Sequence, residues 1–219
     1  LYLEDISDFI IENIDADFGF SRYAERLGQS AHSFDELYLK ICGEQTFIDA
    51  ISLKILKEKI ELIQPKLVCF SVPFPGNLYA AFRAAKFIKE NFPLIKIAMG
   101  GGFPNTELRD LKDIRVFEFF DFITLDDGEL PLELLCDLVL NSPPLEGWQN
   151  SKNFDGVVDE YKRTLLLENN QVVLKNNTLK ADYKQAFIGT PDYLDLLLDQ
   201  YISVIEIANP MHSLWSDGR

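Results

Sequence analysis

The sequence predicts an α/β fold: a doubly wound parallel sheet with helices on both faces, followed by a β-hairpin and an extended tail. Three observations carry this expectation. Apolar runs at residues 66–72, 94–99 and 122–125 are each followed by a glycine-containing loop and then a helical pattern. The first run, Lys-Leu-Val-Cys-Phe-Ser-Val, alternates no polar face with its apolar one, as in a strand covered on both sides. About twenty residues separate the first two runs, enough for a right-handed crossover through a helix between parallel strands.

The elements follow in order. Residues 5–14 place Ile6, Phe9, Ile10 and Ile14 on one helical face. Residues 15–45 are mixed, with aromatics at Phe18, Phe20, Tyr23, Phe34 and Tyr38, and read as short helices. Residues 46–64 form the clearest helix. Thr46 and Asp49 make a capping box, Phe47, Ile48, Ile51, Ile55, Ile60 and Ile63 form a broad apolar face, and Pro65 stops the helix. After the first strand, Asn77 offers an N-cap, and Leu78, Ala81, Phe82, Ala85 and Ile88 line the next helix. Residues 106–111 read as a short helix, and 131–140 as a longer one with Pro131 in its first turn. Residues 141–156 carry Pro, Asn and Ser and read as a linker. Residues 164–167 and 171–174 flank Asn169-Asn170 as a hairpin, expected outside the sheet. A short helix at 194–200 begins the tail, so the organisation is a sheet domain at 1–140 and a linker, hairpin and tail at 141–219. The chain starts at Leu1 inside a helical pattern and stops at Trp215-Ser216-Asp217-Gly218-Arg219 without a closing element, so it reads as a piece of a longer protein.

Composition narrows the function classes. The 219 residues are 47% hydrophobic, enough for a sizeable core, and the net charge is −14. That balance argues against a nucleic-acid backbone, which needs a basic face, and against an anionic membrane surface. It fits a protein kept soluble by its charge. No apolar run approaches the roughly 18 residues of a membrane span, and none is expected to act as a signal peptide. The three cysteines, Cys42, Cys69 and Cys136, form no C-x-x-C pair. Cys69 and Cys136 sit in apolar patterns and read as small buried hydrophobes; the chain is expected in a reducing cytoplasm.

Three loops carry the candidate chemistry, because ligands of open parallel sheets bind at the carboxyl ends of the strands. The first, Ser71-Val72-Pro73-Phe74-Pro75-Gly76-Asn77, is stiffened by two prolines; Ser71 and Asn77 offer donors, and the following helix start favours phosphate. Its alternative role is only to join strand to helix. The second is Gly100-Gly101-Gly102-Phe103-Pro104. Three consecutive glycines cost conformational entropy, and the usual reason is close approach of a ligand or of another backbone. They do not make the dinucleotide fingerprint G-x-G-x-x-G. The third, Asp126-Asp127-Gly128-Glu129, suits either a divalent cation or acidic capping of the next helix; its spacing is not that of a calcium loop, and capping is the better reading.

These three loops, in this order, resemble the cobalamin-binding domain that precedes the catalytic barrel in many radical SAM Fe–S oxidoreductases. The tail adds to the resemblance: Pro191-Asp192-Tyr193, Pro210 and Trp215-Ser216-Asp217-Gly218 are similar to the linker that leads into that barrel. The resemblance spans residues 60–219. It implies a flavodoxin-like (Rossmann-like) sheet, here without the family's first βα unit, that holds cobalamin through Ser71, Pro73, Pro75, Gly76, Asn77, Gly100, Gly101, Gly102, Phe103, Asp127, Gly128 and Glu129. The nucleotide tail is expected between the Ser71–Asn77 and Gly100–Pro104 loops. The family's cobalt-ligating motif is D-x-H-x-x-G. Neither His32 nor His212 fits it, so cobalamin is expected without a protein histidine ligand. The 4Fe–4S cluster and S-adenosylmethionine would belong to the barrel, whose C-x-x-x-C-x-x-C motif is absent here. The barrel and the small-molecule cofactor are the implied partners, with no nucleic acid and no membrane. Two alternatives stand beside this reading: a degenerate sheet domain that binds no cofactor and docks the barrel or a partner, and a receiver-like signalling domain. The receiver lacks its acidic set and late lysine, and has no place for the glycine triplet.

Overall fold

The computed structural model describes residues 2–20, 33–141, 160–190 and 194. Tyr23, both histidines, most of the 141–156 linker and the tail from Pro191, apart from Leu194, lie outside the described residues. Two compact units are present, Leu1–Asp182 and Tyr183–Arg219. In the second, the described element is a single helical turn at Gln185–Ile188, where the Phe187 N–H donates to the Lys184 carbonyl at 2.8 Å.

The first unit is an α/β fold compatible with a flavodoxin-like sheet. Its strands are β1 (Leu67–Ser71), β2 (Lys96–Gly100), β3 (Phe122–Thr124), β4 (Thr164–Glu168) and β5 (Gln171–Lys175). They lie side by side in chain order as one five-stranded sheet. β1–β2 and β2–β3 are parallel, as the crossover spacing predicts. The helices are α1 (Tyr2–Asn13), α2 (Asp35–Cys42), α3 (Phe47–Ile63), α4 (Leu78–Asn91), α5 (Gly102–Glu107) and α6 (Glu129–Asn141). Among the described residues, none is long and apolar enough to cross a membrane.

The sheet separates two cores. On one face, residues of α2, α3, α4 and the 3₁₀ turn Ile114–Glu118 pack on Ile97, Met99 and Ile123. Phe82 is central, with ring centroids 4.9 Å from Phe120 and 5.4 Å from Phe119 in edge-on contacts. On the other face, Leu135, Leu138 and Val139 of α6 join Ala98, Phe122, Tyr161 and Leu166 in a smaller cluster.

Four expectations are corrected. The hairpin is not outside the sheet: β4 pairs antiparallel with β3, Ile123 opposite Leu165. The physical reason is its sequence. Leu165 and Leu166 point to opposite faces and each enters a different core, so the strand needs cover on both sides, and an isolated hairpin is marginal in water. The turn itself is as expected, with Asn169 and Asn170 at φ 49° and 61°. Second, α3 keeps its Thr46–Asp49 capping box but buries Asp49, Leu53 and Ile60, leaving Phe47, Ile51, Ile55 and Ile63 exposed. Asp49 turns that side inward by binding α4. Third, the short helix starts at Gly102 rather than residue 106, directly after Gly101 turns the chain at φ 107°. Fourth, Cys69 is exposed and Cys136 half-buried. Among the described residues, β1 is an edge strand. Its Lys66 carbonyl and Val72 N–H bond to β2, so by alternation the polar backbone groups of Leu67, Cys69 and Ser71 face away from the sheet.

Candidate functional site

The β1–β2 register sets Ser71 beside Gly100, so the first two loops leave the sheet at the same level. They then close on each other. The Val72 N–H donates to the Gly100 carbonyl at 2.8 Å, and the Val72 carbonyl accepts from the Phe103 N–H at 2.9 Å. A Cβ on Gly101 would sit 2.8 Å from the Val72 nitrogen and oxygen, and one on Gly102 would sit 2.8 Å from the Pro73 carbonyl oxygen. A Cβ on Gly100 would meet the Thr124 hydroxyl at 2.7 Å. Of the two reasons for a glycine triplet, close approach of another backbone is therefore the one realised at Gly101 and Gly102. This overturns the expected slot between the Ser71–Asn77 and Gly100–Pro104 loops. It also overturns the expectation that a bulky residue at Gly101 would block a ligand while sparing the fold, because the space that such a side chain would need is protein.

The remaining predicted residues divide. Phe103 is buried in the larger core and has no surface to offer a ligand. Pro75, Gly76 and Asn77 form a 3₁₀ turn that runs straight into α4, and Asn77 makes no side-chain cap bond. Pro73 is exposed on the loop. Ser71, Gly100, Gly101, Gly128 and Glu129 do come together. They line a groove of about 420 Å³ on the α6 face, between the end of β1 and the start of α6. Cys69, Ala98 and Leu132 make its floor and apolar wall, and Thr124 and Asp126 complete the rim. Asp127, one residue further, is exposed outside this lining. Although Cys69 is exposed along the strand edge, burial of the thiol pushes its pKa up to about 11, which leaves it protonated at neutral pH.

On the opposite face a second cavity of about 320 Å³ lies between α3 and α4, and Ser71 and Asn77 border it. At its base the Arg83 Nε donates to Asp49 at 2.9 Å and the Tyr79 hydroxyl donates to the same carboxylate oxygen at 2.7 Å. Arg83 also donates to the carbonyls of Ile41, Gly43 and Glu44. Every arm of the guanidinium is used within the protein. The cluster ties the α2–α3 loop to α4 and is structural.

Sequence reasoning missed the residues that hold the third loop. Asp126 adopts φ 60°, and its N–H donates to the Asn105 side chain at 2.6 Å. Its carboxylate pairs with Arg109 from beyond α5 and with Arg163 from the start of β4, the latter at 3.5 Å. Arg163 also donates to the carbonyls of Leu125 and Asp127 and makes two bonds of 2.8 Å to Asp182. Bonding to Asp182 raises Arg163, and Arg163 holds the Asp182 carboxyl below its ordinary value. No local sequence signal marks these partners, which lie 17 to 38 positions from the atoms they hold. Among the described residues, no group of three or more His, Cys, Asp or Glu side chains gathers as a metal site.

The groove can be tested against the cobalamin that the resemblance implies. Its glycine main chain, its hydroxyls at Ser71 and Thr124 and its apolar floor suit a planar aromatic ring. No lysine or arginine lines it, so a phosphodiester would have to stay at the mouth, in solvent. No protein-family model, curated protein or solved structure matches this chain.

Proposed function

We propose that this chain is the accessory α/β domain of a radical SAM Fe–S oxidoreductase and that the β1–α6 groove receives the aromatic end of a cobalamin. The observation that carries the reading is the position of the groove. It opens at the carboxyl ends of β1 and β2, where open sheets of this class bind ligands, and it contains five of the residues that the resemblance selects. Bound cobalamin would supply cobalt chemistry to a neighbouring reaction centre. The residues of this chain bind and orient: Gly100 and Gly101 give backbone walls, the Ser71 hydroxyl reaches the groove, and Leu132 shields the ring from water. The domain itself is not catalytic. The barrel that it would serve brings the 4Fe–4S cluster and S-adenosylmethionine, and three unpaired cysteines suit a reducing cytoplasm.

One observation favours a second reading, a docking module without cofactor: the two loops expected to clasp the ligand are bonded to each other instead. Titration with hydroxocobalamin, followed by absorbance and calorimetry, separates the two. Binding that is lost in Ser71→Trp, with the far-ultraviolet circular dichroism unchanged, supports the cofactor reading. Absence of binding by the unaltered chain leaves the docking module.

A further inference from the structure

We propose that Cys69 of β1 and Cys136 of α6 form a redox site: a dithiol that a small-molecule disulfide converts to an internal disulfide, tying α6 to the edge of the sheet. It is independent of the cofactor reading, which gives neither thiol a chemical role. Cys69 is exposed and Cys136 half-buried, so solvent reaches the pair.

On the sheet, Cys69 faces α6. Its register partner is Ala98, which belongs to the cluster on the α6 side, and Cys69 lines the groove together with Glu129 and Leu132 of α6. On the helix, Cys136 follows Leu132 by one turn and precedes Val139 by almost another, so the three share one face. Leu132 lines the groove and Val139 packs in the cluster, so that face looks at the sheet. The two cysteines also sit at the same level. Ser71, at the carboxyl end of β1, shares the groove with Gly128 and Glu129 at the start of α6. Leu67, at the amino end of β1, packs against the cluster that holds Leu135, Leu138 and Val139. α6 therefore runs back along β1. Cys69 lies midway between Leu67 and Ser71, and Cys136 lies midway along the stretch of α6 that faces them. The two elements approach within 8 Å between Cα atoms, and a disulfide joins Cα atoms about 4.4–6.8 Å apart. Burial first, and the nearness of Cys136 after it, push the Cys69 thiol up.

That raised value makes Cys69 a slow thiol, so the resting pair in a reducing medium is the dithiol. Oxidised glutathione supplies the oxidant. The Cys69 sulfur, as its thiolate, attacks one glutathione sulfur. The glutathione disulfide breaks, a Cys69–glutathione disulfide forms, and one reduced glutathione leaves with the proton that Cys69 gave up. The Cys136 sulfur, as its thiolate, then attacks the Cys69 sulfur. The Cys69–Cys136 bond forms, the mixed disulfide breaks, and the second reduced glutathione leaves with the proton of Cys136. Two protein thiols lose two electrons, and one glutathione disulfide gains them. Cys42 ends α2, on the opposite face of the sheet, and takes no part. The bond closes a long loop that runs from β1 through β2 and β3 to α6, so it stabilises the fold.

The test incubates the full chain, reduced and then freed of reductant, with oxidised glutathione under native conditions. The chain is digested without reduction and its peptides are weighed. The Cys69 and Cys136 peptides are expected to be joined, lighter than their sum by two hydrogen atoms, while Cys42 carries glutathione or stays free. The treated chain should unfold at a temperature higher by about 5 °C or more, and excess reduced glutathione should reverse the shift. Cys136→Ser should retain glutathione on Cys69 and lose both the joined peptide and the thermal shift, whereas Cys42→Ser should keep both. A lasting glutathione adduct on Cys69 with Cys136 still free in the unaltered chain would overturn the proposal. So would a Cys69–Cys69 bond between two copies, a bond from either residue to Cys42, a joined peptide that forms only in urea, or no reaction at either residue.

Discussion

The two faces of the sheet are built differently. The α4 face is covered by three helices and a 3₁₀ turn, with a continuous aromatic core around Phe82 and a buried ion pair at Arg83 and Asp49. Among the described residues the α6 face is covered by one helix, and its cluster is confined to the part of the sheet beneath Leu135, Leu138 and Val139. Cys69 and Ser71 on β1 lie at the margin of that helix and stay exposed. The larger candidate groove opens where the cover stops. Stability is concentrated on one face, and room for a ligand lies on the other.

The largest effects should therefore appear on the α4 face. Phe82→Ala is expected to cost about 3–5 kcal/mol, and Leu138→Ala in the smaller cluster nearer 2 kcal/mol, measured by urea unfolding. Equal losses would show that the two faces share the stability and would break the comparison. Asp49→Ala should rank with Phe82, at about 3–5 kcal/mol, because it leaves a guanidinium buried without its carboxylate. Next come the glycines. Gly101→Ala combines φ 107°, strained by about 1–3 kcal/mol for any residue with a side chain, with a Cβ 2.8 Å from backbone atoms. Gly128, at the groove mouth, faces open space: an added Cβ would have nothing within 4 Å. Gly128→Ala should therefore be neutral or stabilise by up to about 1 kcal/mol. A large loss at Gly128 would mean that the mouth is packed more tightly than the groove implies.

The smallest effect concerns acid. Asp182 titrates below the ordinary aspartate value of 3.8 because Arg163 bonds its charged form. A depressed folded-state pKa gives stability that is present above 3.8 and lost as the pH falls through the lower folded value. Asp182 is exposed and Arg163 half-buried, so solvent screens the pair to about a few tenths of a kcal/mol. Asp182→Asn should reduce the dependence of stability on pH below about 4, relative to the parent, and barely change stability at acid extremes. An unchanged acid slope would show that the pair contributes nothing there.

Elements with a local signature were legible in the sequence. The capping box at Thr46 and Asp49, the Asn169-Asn170 turn and the parallel β1–β2 crossover all follow from spacing and residue type. The candidate groove was only partly legible. Ser71, Gly100, Gly101, Gly128 and Glu129 were selected because they follow strand ends, and register does bring strand ends together. Phe103 was misassigned because a residue after a glycine loop resembles a loop residue, whereas α5 begins at Gly102 and turns the ring inward. The role of the glycines stayed ambiguous because one sequence does not say which of two backbones fills a missing Cβ. Arg109, Arg163 and Asn105 were invisible for a related reason: each acts on a loop that only the folded chain brings near, and none belongs to a motif.

The glycine triplet also bears on how this sequence can drift. At Gly101 and Gly102 the obstructing atoms are main-chain atoms of Val72 and Pro73, present whatever residues stand there. No second change elsewhere can release these two positions, so each lineage must keep them or rebuild the loop. At Gly100 the obstruction is the hydroxyl of Thr124, a removable group. An alanine there becomes admissible once Thr124 is replaced by alanine or glycine. The two positions that face main chain are thus the more constrained, and the third is coupled to a residue 24 positions away, because a side chain at Gly100 needs the Thr124 hydroxyl in β3 to turn aside or be lost.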